Sequence, residues 1–345
     1  LRTSDFDYHL PRELIAQTPL ERRDSSRLLV LERDSGVITH SSFSQLPEFL
    51  SPGDLLVANN SRVIPARLHG QRETSGGNVE LLLLRHEGAE WSALARPARK
   101  LKPGERIVFP ARTPGVHAAT AVVVAQRGEG EITVRFEGDA GSRLHDYGVA
   151  PLPPYITQKL EDEERYQTVY ATHAGSAAAP TAGLHFTQDL VTHLRTMGVG
   201  WTEVTLHIGL DTFRPITVEN VEEHHIHQEW CEVSQVTADE IAACRRRNRR
   251  VIAVGTTAAR TLETLGRTWN DDDPRGFSGL TSEFIVPGHA WKIVDALLTN
   301  FHLPRSTLLM LVSALAGREA ILNAYAEAVR RQYRFFSFGD AMLIR

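Results

Sequence analysis

The chain has 345 residues, a formal net charge of −4 at pH 7, 42% hydrophobic and 23% charged residues. That balance excludes intrinsic disorder and a protein coated in basic charge, and the length suffices for two domains, or one large one, with a self-sufficient core. Two cysteines, Cys231 and Cys244, give neither a disulfide framework nor a multi-cysteine zinc site. No apolar run nears the ~18 residues of a spanning helix, and the opening residues are too polar for a signal peptide. A cytoplasmic globular protein without membrane contact is the expectation.

Leu28–Leu31 and Val37–His40 read as strands without a partner of their own. From Leu55 to Glu137 short apolar runs alternate with turn signals. The runs are Leu55–Ala58, Val79–Leu84, Trp91–Leu94, Ile107–Phe109, Thr120–Ala125 and Ile132–Phe136. Turns such as Ser75-Gly-Gly-Asn78 and Lys102-Pro-Gly104 separate them, which predicts a small antiparallel barrel or sandwich. After Pro151 the order becomes strand then helix. Leu190–Met197 is helical, Trp201–Ile208 a strand, and Ala238–Arg247 a helix behind Thr237 as its N-cap. Val251–Val254 is an apolar strand entering Gly255-Thr-Thr257, from which a helix runs to Gly266. Ser306–Ala316 reads as a buried helix, Ala320–Tyr333 as an amphipathic one, and Phe335–Ile344 as a closing strand. The simplest arrangement is one α/β domain, a mixed sheet with covering helices, from 1–62 and 152–345, with an all-β domain at 63–151 inserted into it.

Several loops after apolar runs carry chemistry-bearing residues. Ala177–Phe186 is rich in small residues, where Gly183 permits positive φ, and presents Thr181 and His185. His207 ends a strand beside a glycine; its ordinary pKa suits proton transfer, though a strand histidine also serves as a hydrogen-bonded core residue. At Gly255-Thr-Thr-Ala-Ala-Arg260 a buried strand meets a helix start, where free N–H groups, the Thr256 and Thr257 hydroxyls and Arg260 can hold a carboxylate or phosphate. His224-His-Ile-His227-Gln-Glu229 has the residue types of a metal cluster but not the register of a zinc hydrolase, so no metal is expected. Asn300 and His302 follow another apolar run, and Ser337 and Asp340 sit among aromatics. Two basic stretches, Arg96–Lys102 and Arg245–Arg250, are either solvated faces or phosphate contacts. No Gly-x-Gly-x-x-Gly, Walker or Gly-x-Ser-x-Gly motif occurs, which withdraws support from dinucleotide oxidoreductases, P-loop NTPases and serine hydrolases.

Four long motifs then coincide in order: Pro52-Gly-Asp-Leu-Leu-Val-Ala-Asn-Asn-Ser-Arg-Val-Ile-Pro-Ala-Arg67, Ala179-Pro-Thr-Ala-Gly-Leu-His-Phe186, Val294-Asp-Ala-Leu-Leu-Thr-Asn-Phe-His-Leu-Pro304 and Ser306-Thr-Leu-Leu-Met310. With Asp5-Phe-Asp-Tyr-His-Leu-Pro11 at one end and Arg334-Phe-Phe-Ser-Phe-Gly-Asp-Ala-Met342 at the other, the chain closely resembles the QueA family of S-adenosylmethionine:tRNA ribosyltransferase-isomerases in queuosine biosynthesis. Two positions depart from the family pattern: Asp211 where glycine is usual, and Ala258 where serine is common.

The resemblance implies an α/β domain with an inserted β-barrel. It implies transfer and isomerisation of the ribosyl group of S-adenosylmethionine, a co-substrate, onto 7-aminomethyl-7-deazaguanine at the tRNA wobble position. No prosthetic group or metal is implied, and a monomer is expected. His185 or His207 becomes the candidate base, and Thr181, Thr256, Thr257, Arg260, Asn300 and His302 the candidate contacts to S-adenosylmethionine. Asn59, Arg62, Arg99, Lys100, Ser337 and Asp340 become candidate contacts to the tRNA substrate. The alternatives are an S-adenosylmethionine-dependent RNA methyltransferase, which would show a glycine-rich loop after its first strand, and a non-catalytic tRNA-binding module. The second leaves the polar loops of the α/β part without a purpose.

Overall fold

The computed structural model describes all residues except 129, 210–215, 217, 225 and 227. The chain divides into two compact units, one of residues 1–62, 154–173 and 179–345, the other of 63–153 and 174–178. The fold class read from the sequence is the one observed: a mixed α/β sheet with helices, and an all-β barrel.

The larger unit is built on a nine-stranded sheet. Its centre is four parallel strands in the order Gly200–Leu206, Leu55–Asn59, Val251–Val254 and Ala296–Asn300. Every residue of the last three is buried, as expected where a parallel sheet is covered on both faces and reads as unbroken apolar sequence. Ala341–Ile344 then runs antiparallel to Ala296–Asn300 and parallel to Arg27–Leu31, and Ile38–Ser42 closes that side. On the other side lie Glu229–Val233 and Phe277–Thr281, both antiparallel to their neighbours.

Helices α1 (Gln188–Thr196), α2 (Gln235–Arg246), α3 (Thr256–Gly266), α4 (Thr307–Ala316) and α5 (Arg318–Arg330) form the covering layers. One apolar cluster packs the sheet against residues of the last four, including Ile241, Leu262, Met310 and Tyr325. The other packs Leu56, Ile252 and Leu298 against α1 and against Phe43, Leu46 and Ala182. Among the described residues no single helix is long and apolar enough to cross a membrane.

Three local expectations need correction. The cap of α2 is Ser234, whose Oγ accepts the N–H of Thr237 at 3.1 Å, so Thr237 lies inside the helix. The closing strand is only Ala341–Ile344, because the N–H of Gly339 bonds the Phe336 carbonyl and that of Asp340 bonds the Arg334 carbonyl, turning the preceding segment. Gly183 does not have positive φ. It is required by close approach, since a Cβ there would lie 2.0 Å from the Tyr170 hydroxyl oxygen.

In the smaller unit, Arg67–Arg72, Asn78–Glu87, Glu90–Arg96, Glu131–Phe136, Ala119–Gly128 and Arg106–Phe109 pair antiparallel in that order. Arg106–Phe109 pairs back to Arg67–Arg72, which closes a six-stranded barrel. Strand Glu90–Arg96 alternates half-buried and buried residues, and the inward set forms the barrel's own core with Leu81, Ile107 and Val134. Closure leaves its main strands no free edge.

Candidate active site

Ligands of open α/β sheets bind outside the carboxyl ends of the parallel strands. Here those ends bring together Leu206-His207, Asn59, Val254-Gly255-Thr256-Thr257 and Asn300. The antiparallel neighbours start at the same edge, with Ala341 opposite Asn300 and Cys231 opposite Leu206.

Asn59 fastens this edge together. Its Nδ2 donates to the Leu206 carbonyl at 3.1 Å and to Thr257 Oγ1 at 3.2 Å, and its Oδ1 accepts from the N–H groups of Leu206 and Ser61, each at 3.1 Å. All hydrogen-bonding positions of the amide are thereby used, so it positions neighbours and has nothing left for a substrate.

Gly255 turns the buried strand into α3 with φ +91° and ψ 156°, a region only glycine occupies cheaply. The N–H groups of the first turn of α3 have no partner within the helix, and Thr256 and Thr257 are half-buried there. Ala258, by contrast, is wholly buried in the apolar cluster, so the missing hydroxyl faces core.

Arg260 departs from expectation. Its Nη1 is paired with Glu229 Oε2, its Nε donates to the Glu283 carbonyl at 2.9 Å, and its Nη2 to the Thr281 carbonyl at 3.3 Å. Every nitrogen of the guanidinium is engaged inside the protein, with both ion-pair partners buried. It is therefore not a ready clamp for a ligand carboxylate.

The two candidate bases differ in surroundings. His185 is buried, stacked on Phe43 at 4.9 Å, with Nδ1 2.7 Å from Ser26 Oγ and Nε2 3.1 Å from Asn300 Nδ2. Because the Asn300 amide also donates to the Phe336 carbonyl at 3.1 Å, Nε2 is the acceptor and Nδ1 carries the proton. Burial, then Arg334 and Arg23, push the His185 pKa down to about 3. The cavity beside it, lined by Arg23, Ser26, Arg165 and Ser337, has about 20 Å³, room for one water.

His207 is half-buried and stacked on Trp230 at 5.2 Å, its N–H bonds the Trp230 carbonyl at 3.0 Å, and its Nδ1 is buried without a partner among the described residues. Burial and then the nearby His173 lower its pKa below the ordinary 6.5, so the ring is neutral at pH 7. A cavity of about 410 Å³ opens along the strand leading to it, lined by Asn60, His173, Glu203 and Thr205 among others.

The remaining candidates are not all in one place. His302 belongs to the opposite face: Nε2 lies 2.8 Å from Thr299 Oγ1, the backbone N–H bonds the Tyr325 hydroxyl at 3.0 Å, and the carbonyl accepts from Tyr8 at 2.5 Å. Burial takes its pKa down to about 3, and it acts as a core histidine. Asp340 is buried and accepts from the Arg27 N–H at 2.9 Å, from Arg27 Nε at 3.2 Å and from the Arg334 N–H at 2.8 Å, which commits it to structure. Ser337 bonds the Tyr155 hydroxyl at 2.7 Å, and Arg62 is paired with Glu164. Thr181 is half-buried and begins a short 3-10 turn ending at His185. Arg99 and Lys100 are exposed on a turn of the barrel unit.

Of the second basic stretch, Arg245 and Arg250 are paired with Asp271 and Asp54, and the stretch precedes Val251–Val254, at the amino end of that strand. Among the described residues no group of three or more histidine, cysteine or acidic side chains can hold a metal. His225, His227 and the Asp211 departure lie outside the described residues. Glu229, Ser26 and Trp230, which touch or hold the two histidines and Arg260, were not singled out as partners by the sequence.

The model of a family described as a queuosine biosynthesis protein matches residues 3–344. The chain belongs to that family. It is 53% identical over 346 residues to the S-adenosylmethionine:tRNA ribosyltransferase-isomerase of Carboxydothermus hydrogenoformans, covering 100% of both chains. The enzyme of the same name from Staphylococcus epidermidis is 50% identical over 347 residues, again with 100% of both covered. A solved structure of an S-adenosylmethionine tRNA ribosyltransferase from Thermotoga maritima matches 99% of this chain and 100% of its own, with 40% identity and a TM-score of 0.57. The family resemblance carried by the sequence motifs is borne out.

Proposed function

We propose that the chain transfers the ribosyl group of S-adenosylmethionine to 7-aminomethyl-7-deazaguanine in the tRNA wobble position and isomerises it to an epoxycyclopentane, giving epoxyqueuosine and releasing adenine and methionine. The family match over residues 3–344, with full-length relatives of that activity, carries this reading. S-adenosylmethionine is a co-substrate, and the chemistry needs no metal. The positive sulfur acidifies the ribose C5′ protons, so a placed neutral base suffices to remove one.

His207 is that base. Its unpartnered Nδ1 and half-open setting support the role, whereas His185 is enclosed, hydrogen-bonded at both nitrogens and too weak a base at about 3. The first turn of α3 supplies N–H donors and the Thr256 and Thr257 hydroxyls for the methionine carboxylate. Thr181 and Asn300, the latter with a buried Oδ1 lacking a partner, serve the adenosine half. Ser337 contacts the extruded deazaguanine. Arg99 and Lys100, exposed and without ion pairs among the described residues, hold tRNA phosphates, as does Arg62 once released from Glu164. Residues 1–62 and 152–345 carry the chemistry and 63–151 present the barrel to tRNA. The protein is proposed to work in the cytoplasm, and as a monomer.

The test is a product assay with labelled S-adenosylmethionine and tRNA bearing 7-aminomethyl-7-deazaguanine. Adenine, methionine and an epoxycyclopentane nucleoside are expected. S-adenosylhomocysteine would replace this reading with methyl transfer, and tight tRNA binding without turnover would replace it with a binding module.

A further inference from the structure

The segment 206–209 is tethered by its neighbours at Leu206, His207 and Gly209. Asn59 takes both the N–H and the carbonyl of Leu206. Trp230 takes the N–H of His207 and stacks on its ring. Glu229 Oε1 accepts the N–H of Gly209 at 2.8 Å. The other oxygen of Glu229 is paired with Arg260, which projects from α3 one turn after Thr256. One carboxylate thus joins the backbone just past His207 to the helix whose first turn presents Thr256 and Thr257.

Burying an ion pair costs desolvation that the mutual attraction rarely exceeds, so such a pair is weak evidence for stability alone. This one is 10% and 7% exposed at its two side chains, and both partners carry further bonds, to Gly209, to the Glu283 carbonyl and to the Thr281 carbonyl. The bond to Gly209 reaches the histidine segment from strand Glu229–Val233, and the other two anchor Arg260 of α3 to the segment 281–283. What they supply is a fixed distance between the two halves of the site.

We infer that Glu229, held by Arg260, is a positioning residue for His207: its carboxylate fixes the main chain at Gly209, two residues past the imidazole, and ties it to α3. The inference rests on the proposed role of His207. Neither Glu229 nor Arg260 touches the reacting atoms in this assignment, and a displacement of the base near 1 Å is the consequence of their loss.

The test separates position from stability. Replacing both partners by apolar residues of similar size, Glu229→Leu with Arg260→Met, removes the buried charges together, and because it also strands the Gly209 N–H and the Glu283 and Thr281 carbonyls it is expected to lower the thermal midpoint while leaving the protein folded at assay temperature. The same double variant, assayed well below its own unfolding transition, is expected to lose about 100-fold in kcat, with KM for S-adenosylmethionine changed by less than about threefold. Glu229→Gln retains an acceptor for the Gly209 N–H and is expected to keep more of kcat than Glu229→Leu. In 15N-labelled protein the ring signals of His207 shift or broaden in the double variant while those of His185 stay in place. Parental kcat in the double variant overturns the inference, as do equal losses in Glu229→Gln and Glu229→Leu. Should the double variant not fold, that comparison of the single variants decides the matter alone. A parent protein without turnover, or a His207→Asn variant with full turnover, would instead bring down the functional reading beneath it.

Discussion

His207→Asn is the substitution that tests the site most directly. Asparagine keeps a polar group near Trp230 but removes a ring nitrogen that is buried and, among the described residues, unpartnered. A placed general base contributes about 10²–10⁴-fold, so the loss corresponds to roughly 3–5 kcal/mol of barrier. In the parent, burial and His173 hold the imidazole below 6.5. Activity should therefore be flat above neutrality and fall on the acid side as the ring protonates, with a midpoint below 6.5. Steady-state kcat for S-adenosylmethionine and tRNA, measured across pH, reads both effects, and C5′-deuterated S-adenosylmethionine should show a primary isotope effect in the parent. His207→Asn should lower kcat at least 100-fold, leave KM for S-adenosylmethionine nearly unchanged and abolish the acid limb. If kcat stays within about threefold, or the limb persists, His207 is not the base.

Three further outcomes follow from the same geometry. His185 and His302 sit near pKa 3 when folded against 6.5 when free, so the folded state binds fewer protons between those values. Their contribution is complete above pH 6.5 and is lost as pH falls towards 3, which predicts stability lower at pH 5 than at pH 7.5 by on the order of 4 kcal/mol in urea unfolding; equal stabilities would contradict it. Glu263 is buried and accepts the N–H groups of Lys292, Ile293 and Val294 at 2.9–3.0 Å and His289 Nε2 at 3.1 Å. Glu263→Ala strands those donors and should cost about 3–6 kcal/mol in the same assay, with a loss under 1 kcal/mol arguing against it. Reversing charge at Arg99 and Lys100 should raise KM for tRNA and flatten its salt dependence without altering kcat, and unchanged values would return that turn to an ordinary solvated face.

How far the sequence could be read depended on the range of the interaction involved. Strand Val251–Val254, the Gly255 turn and helix α3 follow from contiguous residues, and their carboxyl-edge position follows from the parallel order. The barrel was legible from its spacing, although Arg67–Arg72, whose inward residues include a glycine and whose outward ones are polar, lacked a strand-like apolar run. Glu229–Val233 and Phe277–Thr281, the second of them at the sheet edge, were passed over because they are short strands whose pairing is set by partners far along the chain.

The residue roles were harder to read than the elements, and Arg260 shows why. Local helical spacing puts it one turn from Thr256 and suggests a shared ligand, but the guanidinium turns to a carboxylate 31 residues away. Asn59 looks like a polar group offered to substrate until its partners at Leu206 and Thr257, 147 and 198 residues distant, consume it. His185 and His207 were equivalent as letters, and only burial and hydrogen-bond saturation separate them. Sequence motifs thus mark which residues the reaction and its scaffold depend on together, and burial sorts one from the other. By that criterion the scaffold of this site is Asn59, Glu229, Arg260 and Asp340. The proposed working surface is His207 with the first turn of α3.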